Sequence, residues 1–489
     1  MIIKLQLQVI ALLEKLLTMM KKREYIIIHH TGGSDADPYA DTSHHTVSMV
    51  DSWHKKIGFN KSKLGYYVGY HYFIEKDGKV TQCRMHDETG CHCFTESCEI
   101  LTDKGWKKIK DVTKSDYIAD VKNNIEIEFN KPLDIVKSKT NNTMTVKNNC
   151  LDIEATAGHE FLVKSAWQKN YNKKTFSSFF KKNNQVIPCS AKYQNTTEFF
   201  EDSFLKLCIA IICDGSLVKS SSKKNVYKGF SFRFKKERKI KEIKKLIEEN
   251  GLEYHLYKYK DGAQSVRVFS VDFISKFIKL FPNKQLDWWL LNVSKEQRDL
   301  ILDSYVFWDG HSPKKYSYRI VSSISKKNID ILQAMAAISG DKRAIITECE
   351  PNRYEGSYPN GKILYTLSIV KKATVQINKN SYGVKNYDKE INVFCVTTKN
   401  HNILVRNNGK VFVAGNCVGQ NDKIGICLAG NFDATLPTNE QIASTVKLLK
   451  ELKQPNTKIV PHRKFAPHKT CYGSKLADNY WDEAMKYWN

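Results

Sequence analysis

The sequence has no long uninterrupted hydrophobic run. Its apolar opening, "MIIKLQLQVIALLEKLLTMMKK", is broken by Gln6, Gln8, Glu14 and Lys15. The apolar residues between them recur at helical spacing, which predicts an amphipathic helix over residues 1–22 rather than a secretory signal peptide. No other segment is apolar enough to be a transmembrane helix. We therefore expect no membrane partner.

The cysteines lack the pattern of a disulfide framework. Their number, 13, is odd, and they are spread widely along the 489 residues without a signal peptide. Scattered cysteines in this setting are typical of reduced thiols. We therefore expect a cytoplasmic protein, and we expect it to be a monomer.

Acidic side chains are scarce relative to basic ones, and the net charge is +25. The imbalance is uneven, because residues 93–416 contain 55 of the 77 Lys and Arg but 35 of the 52 Asp and Glu, a net charge of +20. A nearly neutral protein thus encloses a strongly basic one, which favours a polyanion as the partner of the interior. A lysine-rich composition imposed by an AT-rich genome explains the charge equally well.

The chain is too long for one ordinary core and predicts two to four domains. Near both ends, local patterns predict alternating strands and helices. "REYIIIHHTGG" and "DKIGICLAGNF" are predicted strands, and "VGYHYFIEKDGKVTQC" is a predicted hairpin. "TVSMVDSWHKKIGF" has helical periodicity, and "TNEQIASTVKLLKELK" begins with a threonine suited to cap a helix.

Three residues of these flanks, His29, His462 and Cys471, have side chains suited to zinc. Two imidazoles and a thiolate leave a fourth position for water, the arrangement of a catalytic zinc site rather than a closed structural one. Each residue taken alone is also compatible with an ordinary strand-end histidine or a core thiol.

The flanks resemble the N-acetylmuramoyl-L-alanine amidases of the phage lysozyme and peptidoglycan-recognition superfamily. The motifs that carry the resemblance occur in order: "IIIHHTGG", "VGYHYFIEKDGKV", "DKIGICLAGNF" and "PHRKFAPHKTCYG". The resemblance implies an α/β zinc amidase with a mixed central sheet and flanking helices. It implies Zn²⁺ bound by His29, His462 and Cys471, with Tyr70 and Lys469 polarising the scissile carbonyl.

The reaction implied is hydrolysis of the amide that joins muramic acid to L-alanine in peptidoglycan. His92 is expected to line the substrate groove. The choice of His29 over His30 as a ligand comes from the family, and Tyr472 departs from it, because many members have proline after the cysteine. A phage or bacterial enzyme that acts on the cell wall is therefore expected. The alternative is a module that only binds peptidoglycan.

The amidase motifs are interrupted between "DETGCH" and "CVGQNDKIGICLAG" by the long segment 93–416. A segment that leaves its host without a trace needs a nucleophile at its first residue, an asparagine at its last and a second nucleophile after it. Cys93, Asn416 and Cys417 meet these needs.

The local motifs of the insert resemble those of inteins, which have the all-β, horseshoe-shaped Hint fold. "CFTESCEILTDKGWKKIKDV" resembles their opening, "TAGHEF" their second motif and "NVFCVTTKNHNILVRNNGKVFVAGN" their close. The resemblance implies that Thr156 and His159 assist Cys93, and that His401 assists Asn416. Two departures are Gly415, where a histidine is usual, and Cys395, where an aspartate is usual.

The middle of the insert contains two apolar segments that end in Asp-Gly, "LCIAIICDG" and "LDSYVFWDG". Their aspartates, Asp214 and Asp309, lie 95 positions apart, which suggests an internal duplication. The pair resembles the LAGLIDADG homing endonucleases, an α+β family that implies Mg²⁺ bound by both aspartates and double-stranded DNA as the partner. Two ordinary helices that end in Asp-Gly turns are the alternative. Tyr305 and Trp308 are bulky for this family, which leaves the loss of cleavage activity open.

The sequence thus predicts a multidomain precursor that excises residues 93–416, joins His92 to Cys417 and releases an amidase made of residues 1–92 and 417–489. A decayed insert that does not splice, and a stable unspliced DNA enzyme, are the competing hypotheses. The predicted units are an N-terminal helix, a split amidase, a split Hint domain and an endonuclease, respectively 1–22; 23–92 with 417–489; 93–198 with 372–416; and 199–371.

Overall fold

The computed structural model describes residues 25–33, 37–56, 59, 61–86, 93–194, 196–220, 226–313, 318–350, 362–416, 423–464 and 470–488. The helix predicted over residues 1–22 lies outside these ranges, as do the predicted site residues His92, Cys417 and Lys469. None of the helices within the described ranges is long and apolar enough to cross a membrane.

Five strands from both ends of the chain form one mixed sheet. Their spatial order is Lys458–Pro461, Tyr25–His30, Ile424–Leu428, Tyr72–Ile74 and Val80–Gln82. The first four run parallel, and the last pairs antiparallel in the predicted hairpin. The strand Ile424–Leu428 follows the insert in sequence yet lies between two strands that precede it. The segments on either side of 93–416 therefore form one sheet.

Helices cover both faces of this sheet. They are Val47–Lys56, Asn439–Leu452 and Tyr480–Tyr487. Ile26 and Ile28 pack on one face with Leu449 and Trp481, and alternate residues of the sheet pack on the other face with Val50. The predicted capping threonine is confirmed, because the Thr438 side chain accepts from the Gln441 amide in a capping box that begins the second helix.

The ends of the insert form β-structure. A closed barrel consists of Asp152–Ala155, Phe94–Thr95, Tyr382–Thr397 and Asp134–Lys147. A four-stranded sheet beside it consists of Asn172–Thr175, Glu160–Ser165, Gln185–Pro188 and Thr374–Ile377, with a short helix at Phe176–Phe179. Six further strands are Glu99–Thr102, Gly105–Lys108, Ile118–Val121, Ile127–Asn130, Asn402–Asn407 and Lys410–Gly415. The first and last strands of the insert are therefore integrated into the same β-structure.

The middle of the insert consists of two copies of one motif. Each copy contains a helix that ends in an aspartate, two strands, a second helix and two further strands. The first copy is Asp202–Asp214, Ser216–Lys219, Tyr227–Phe234, Glu237–Glu249, His255–Lys258 and Gln264–Phe269, followed by the helix Val271–Leu280. The second copy is Lys295–Asp309, Gly310–His311, Tyr318–Ser323, Lys326–Ala337, Arg343–Cys349 and Leu364–Val370. In each sheet the spatial order is first, second, fourth and third strand. The predicted internal duplication is confirmed by this topology.

The second copy is joined to the β-structure of the insert. Ile345 pairs with Lys410, which makes one ten-stranded sheet. Arg406, buried in the strand Asn402–Asn407, donates to Asp330 at 2.5 Å and to Glu99 at 2.8 Å. The guanidinium thus bridges the two parts of the insert. The predicted boundaries at 198/199 and 371/372 fall between described elements.

Candidate functional sites

The side chains of His29, His462 and Cys471 form one cluster. Their potential ligand atoms all lie within 4.8 Å of one another, and His29 Nδ1 is 3.8 Å from Cys471 Sγ. Ile28 and Pro461 are partners on neighbouring parallel strands. The residue that follows each of them therefore emerges at the same sheet edge, which explains how positions 29 and 462 meet. The geometry suits a single metal ion.

His29 and His30 have different environments, because successive strand residues point to opposite faces. His30 Nδ1 accepts a hydrogen bond from the Phe432 amide at 2.9 Å. Burial lowers the pKa of His30 to about 4, which keeps its ring neutral and able to accept. Its own amide donates to Cys471 Sγ at 3.3 Å. His30 therefore positions the loop that carries the cluster, whereas His29 belongs to it.

Tyr70 lies beside the cluster, as the family resemblance implies. Its ring centroid is 5.0 Å from that of His29, and its hydroxyl forms a hydrogen bond with Cys427. Burial raises the pKa of Tyr70, so the phenol stays protonated and able to donate.

Arg463 is a supporting residue that the sequence pattern did not reveal. Its amide donates to the Cys471 carbonyl at 2.7 Å, and its guanidinium donates to the carbonyls of Gly473 and Leu476, each at 2.7 Å. An ion pair with Asp478 completes its contacts. The side chain holds the loop that brings Cys471 to His462. Its position directly after a candidate ligand is the only sequence signal for this role.

At the start of the insert, Cys93 and Thr156 are joined by two hydrogen bonds. The Cys93 amide donates to Thr156 Oγ1 at 2.9 Å, and the Thr156 amide donates to the Cys93 carbonyl at 3.0 Å. The ring of His159, fully buried, lies 4.0 Å from the ring of Phe94. The nitrogen of the peptide bond that splicing would break is thus held by a hydroxyl.

Cys395, one of the two departures from the intein pattern, packs beside Cys93. The two thiols share a small buried cluster with Val136 and Val393. The long strand Tyr382–Thr397 passes the first residues of the insert, since Phe394 pairs with Phe94. The Cys395 thiol therefore lies close to Cys93.

At the end of the insert, Asn416 is 2% exposed, and its Nδ2 donates to Thr398 Oγ1 at 2.7 Å. Its amide donates to the carbonyl of His401 at 3.1 Å. Burial lowers the pKa of His401, with the charge of Lys173 adding to the effect. The main chains of Asn416 and His401 are thus in contact.

A further contact at this end was not predicted. Thr398 Oγ1 donates to Asp120 Oδ1 at 2.7 Å, and Asp120 is fully buried. These two residues are 278 positions apart in sequence. Sequence patterns carry no signal for a contact at that separation.

The helices Asp202–Asp214 and Lys295–Asp309 pack against each other and end at the two predicted aspartates. Burial raises the pKa of Asp309, and the nearby charge of Asp214 raises it further. The two carboxylates are therefore close enough for their charges to interact.

Two lysines that sequence reasoning missed flank these carboxylates. Lys239 forms an ion pair with Asp214 at 2.5 Å. Lys284 donates to the carbonyl of Gly215 at 2.5 Å, and burial lowers its pKa. The positive charges offset the repulsion between the aspartates.

The bulky residues Tyr305 and Trp308 are accommodated within the core. The Tyr305 hydroxyl accepts from Asn328 Nδ2 at 3.2 Å, and Trp308 stacks on Phe234 with ring centroids 5.7 Å apart. Both side chains are at most 3% exposed. Their bulk is therefore absorbed by core packing.

The family model of N-acetylmuramoyl-L-alanine amidase matches residues 19–133 and 365–475. The match supports the amidase family. The two segments contain all of the residues expected at the amidase site, namely His29, Tyr70, His92, His462, Lys469 and Cys471. They also extend past positions 92 and 417 into the β-structure of the insert.

Among curated proteins, the chain is similar to the ribonucleoside-diphosphate reductase subunit beta of Aquifex aeolicus, with 26% identity over 401 residues. The similarity covers 72% of this chain and 55% of that protein, so the chain spans about half the length of this relative.

Among solved structures, a splice-inactive variant of the AceL NrdHF class 3 split intein matches with 7% identity and a TM-score of 0.26, over 67% of this chain and 99% of that one. The homing endonuclease I-DmoI in complex with DNA and Mn matches with 16% identity and a TM-score of 0.26, over 35% of this chain and 90% of that one. Both similarities are weak.

Proposed function

We propose that the chain is a precursor that excises residues 93–416 and joins His92 to Cys417, and that the joined product is a zinc-dependent N-acetylmuramoyl-L-alanine amidase acting on peptidoglycan. One observation carries the proposal. The strand Ile424–Leu428 inserts between Tyr25–His30 and Tyr72–Ile74, so the flanks form one sheet although the whole insert separates them in sequence. A host protein interrupted by a foreign segment accounts for this topology.

The donor set of the flanks fits zinc. His29, His462 and Cys471 supply two imidazole nitrogens and one thiolate within 4.8 Å, and three protein ligands leave a position for water. Bound there, Zn²⁺ would lower the pKa of a water molecule and stabilise an oxyanion. Tyr70, whose ring lies 5.0 Å from that of His29, is proposed to donate to the scissile carbonyl, and Lys469 is proposed to add positive charge as that oxygen becomes negative.

The first splicing step is an attack of Cys93 Sγ on the carbonyl carbon of His92. The carbon–sulfur bond of a thioester forms and the carbon–nitrogen bond breaks. The released amine takes a proton from His159, and the proton lost by the Cys93 thiol restores the one that His159 gives. Thr156 supports this step because its hydroxyl already holds the departing nitrogen at 2.9 Å. Both groups lie in one fold, which replaces a bimolecular encounter by a local one.

The later steps transfer the acyl group and join the two flanks. Cys417 takes the acyl group from Cys93, and the Cys93 thiol is regenerated. Asn416 then cyclises to a succinimide and releases the insert, and a shift of the acyl group from sulfur to nitrogen makes a normal peptide between His92 and Cys417. Asn416 approaches the first junction, because Gly415 lies against Glu160, the neighbour of His159.

The middle of the insert, over residues 199–371, is proposed to be a DNA endonuclease of the LAGLIDADG type. Asp214 and Asp309 would share Mg²⁺, which aligns water with a scissile phosphate. The net charge of +20 on the whole insert suits the phosphate backbone of double-stranded DNA. The repeated strand order supports the proposal, since two equivalent halves suit a duplex cut on both strands.

Intact-mass measurement after expression tests splicing. We expect two species, a joined product with the mass of 1–92 plus 417–489 and a free insert with the mass of 93–416. The double variant Cys93→Ala, Asn416→Ala should instead remain a single chain of 489 residues. A wild-type chain that stays intact would refute splicing.

Wall lysis by the purified joined product tests the amidase. Lysis should stop after strong chelation and return with Zn²⁺. Activity that persists in the chelated protein would refute the zinc assignment while leaving splicing untouched.

A further inference from the structure

Cyclisation of Asn416 needs a group that removes a proton from its side-chain nitrogen, because an amide is a weak nucleophile. The residue before Asn416 cannot supply that group. A Cβ at Gly415 would lie 2.8 Å from the carbonyl oxygen of Glu160 and 2.9 Å from its Cβ, which is too close for any side chain. The assistance has to come from elsewhere in the fold.

The contact of His401 with Asn416 is through the main chain, where the His401 carbonyl accepts from the Asn416 amide at 3.1 Å. The described group that contacts the side-chain nitrogen of Asn416 is the hydroxyl of Thr398. It lies 2.7 Å from Asn416 Nδ2, and the same hydroxyl lies 2.7 Å from Asp120 Oδ1. Thr398 and Asp120 are both fully buried, and Asn416 is 2% exposed. A continuous hydrogen-bonded chain therefore runs from the reacting nitrogen to a buried carboxylate.

The direction of these hydrogen bonds follows from the chemistry of Asp120. A carboxylate only accepts hydrogen bonds, so the Thr398 proton points at Asp120. The Thr398 lone pairs are then left to face Asn416, which must present its NH₂ group rather than its oxygen. The remaining contacts of Asp120 agree, because the amide of Asn400 and the side-chain nitrogens of Asn400 and Asn130 all donate to it at 2.9 to 3.2 Å.

We propose that Thr398 is a catalytic residue for cleavage after Asn416 and that Asp120 is its positioning residue and proton acceptor; the proposal rests on the splicing function proposed above. The Nδ2 atom of Asn416 forms a bond to its own main-chain carbonyl carbon, and the bond from that carbon to the nitrogen of residue 417 breaks. The Nδ2 proton passes to Thr398 Oγ1 while the Thr398 proton passes to Asp120.

The remaining protons balance through water. The departing nitrogen takes one proton from a water molecule, and the resulting hydroxide takes the proton held by Asp120. The relay is thereby returned to its starting state. Thr398 thus accepts the proton that a side chain at position 415 would otherwise accept. Position 415 has no room for such a side chain.

Three variants test the relay, each in a Cys93→Ala chain where cleavage after Asn416 is the only reaction. Thr398→Val keeps the shape and removes the hydroxyl, and it should slow this cleavage about 100-fold or more, the usual contribution of a positioned proton acceptor. Thr398→Ser restores the hydroxyl and should stay within about tenfold of the parent. Asp120→Asn should slow cleavage because its amide can donate to Thr398 and reverse the hydrogen bond.

The double variant Thr398→Val, Asp120→Asn separates a relay from a merely structural role. Because Asp120 acts through Thr398, the double variant should cleave no more than about threefold more slowly than Thr398→Val alone. Additive losses would overturn the relay. Wild-type rates in Thr398→Val would overturn it as well.

Cleavage before Cys93, induced by an added thiol in an Asn416→Ala chain, distinguishes failure of the Thr398 relay from failure of the splicing function. Thr398→Val should leave this reaction within about twofold of the parent. If both reactions fell together, Thr398 would be structural and the relay would be wrong. If the unmodified chain reacted at neither junction, the splicing function itself would be wrong.

Discussion

The amide of Cys93 donates to the hydroxyl of Thr156 at 2.9 Å, and the amide of Thr156 donates back to the carbonyl of Cys93 at 3.0 Å. This reciprocal pair fixes the peptide nitrogen that splicing would release. Both residues are at most 1% exposed, so water does not compete for these bonds. In the proposed reaction, the hydroxyl of Thr156 would stabilise the nitrogen as it becomes an amine.

We predict that Thr156→Val slows thiol-induced cleavage before Cys93 by about 100-fold, since one oriented polar contact in a buried site is typically worth that much. Cleavage after Asn416 should continue. The measurement is the time course of the two fragments by mass spectrometry. Thr347→Val, on an exposed position of the strand Arg343–Cys349, is the matched control and should behave as the parent. Equal rates for both threonine variants would contradict the assignment.

We predict opposite consequences for the two adjacent histidines of the outer sheet. In a splice-inactive chain, His29→Ala should abolish stoichiometric zinc binding with little change in stability. His30→Ala should retain zinc but lose about 1–3 kcal/mol of unfolding free energy, because the Phe432 amide is left buried without its acceptor. Metal analysis after dialysis and urea unfolding provide the two readouts. Zinc lost from the His30 variant alone would reverse the assignment of the ligand.

The contrast between these histidines shows what local patterns can and cannot establish. Strand periodicity predicts that positions 29 and 30 face opposite sides of the sheet, but it does not say which side meets the loop that carries Cys471. That information resides in the pairing of Ile28 with Pro461, a contact between the two ends of the chain. The identity of the ligand was therefore available only from the family resemblance.

The ends of the insert were more predictable than the contacts that assist them. Splicing requires a nucleophile at the first residue of the insert and an asparagine at the last, so local sequence suffices to propose Cys93 and Asn416 for these roles. The contact between Thr398 and Asp120 depends on the pairing of Ile403 with Asp120, which brings the turn before Asn402–Asn407 to the strand Ile118–Val121. No periodicity or motif reports such a meeting, which explains why it was missed.

For the proposed endonuclease, we predict that Asp309→Asn abolishes Mg²⁺-dependent cleavage of double-stranded DNA. The side chain keeps its size but loses the charge that a hard divalent cation requires. Splicing should proceed at the parental rate, because Asp309 ends a helix of the duplicated middle of the insert, whereas Cys93 and Asn416 adjoin strands of its β-structure. The assay is linearisation of a plasmid library with random inserts. Cleavage by the variant at the parental rate would contradict the metal role.

We predict that Arg406→Met destabilises the insert by about 1.5–3 kcal/mol, the usual contribution of hydrogen bonds to charged groups, because Glu99 and Asp330 are only partly buried and keep Lys108 and Lys326 nearby. Arg406 pairs with Glu99 and Asp330, and its side chain is 2% exposed. Arg233→Met is the control, because Arg233 pairs with Asp261 at the exposed surface and should cost less than about 1 kcal/mol. Denaturant unfolding of the splice-inactive chain measures both. Similar losses in the two variants would show that the buried bridge contributes little.

The last prediction concerns the space beside Asn416. Gly415→Ala should block cleavage after Asn416, because the added Cβ would have to push back the backbone of Glu160, and Glu160 adjoins His159. Gly415→His should fail for the same reason, even though histidine is usual at this position in inteins. The urea midpoint of each variant serves as the control, and an unchanged midpoint would show that the fold tolerates the change. If Gly415→His instead accelerated cleavage, the backbone of Glu160 would have to move aside more easily than the close contact implies. The hydroxyl of Thr398 would then not be needed in place of a histidine at position 415.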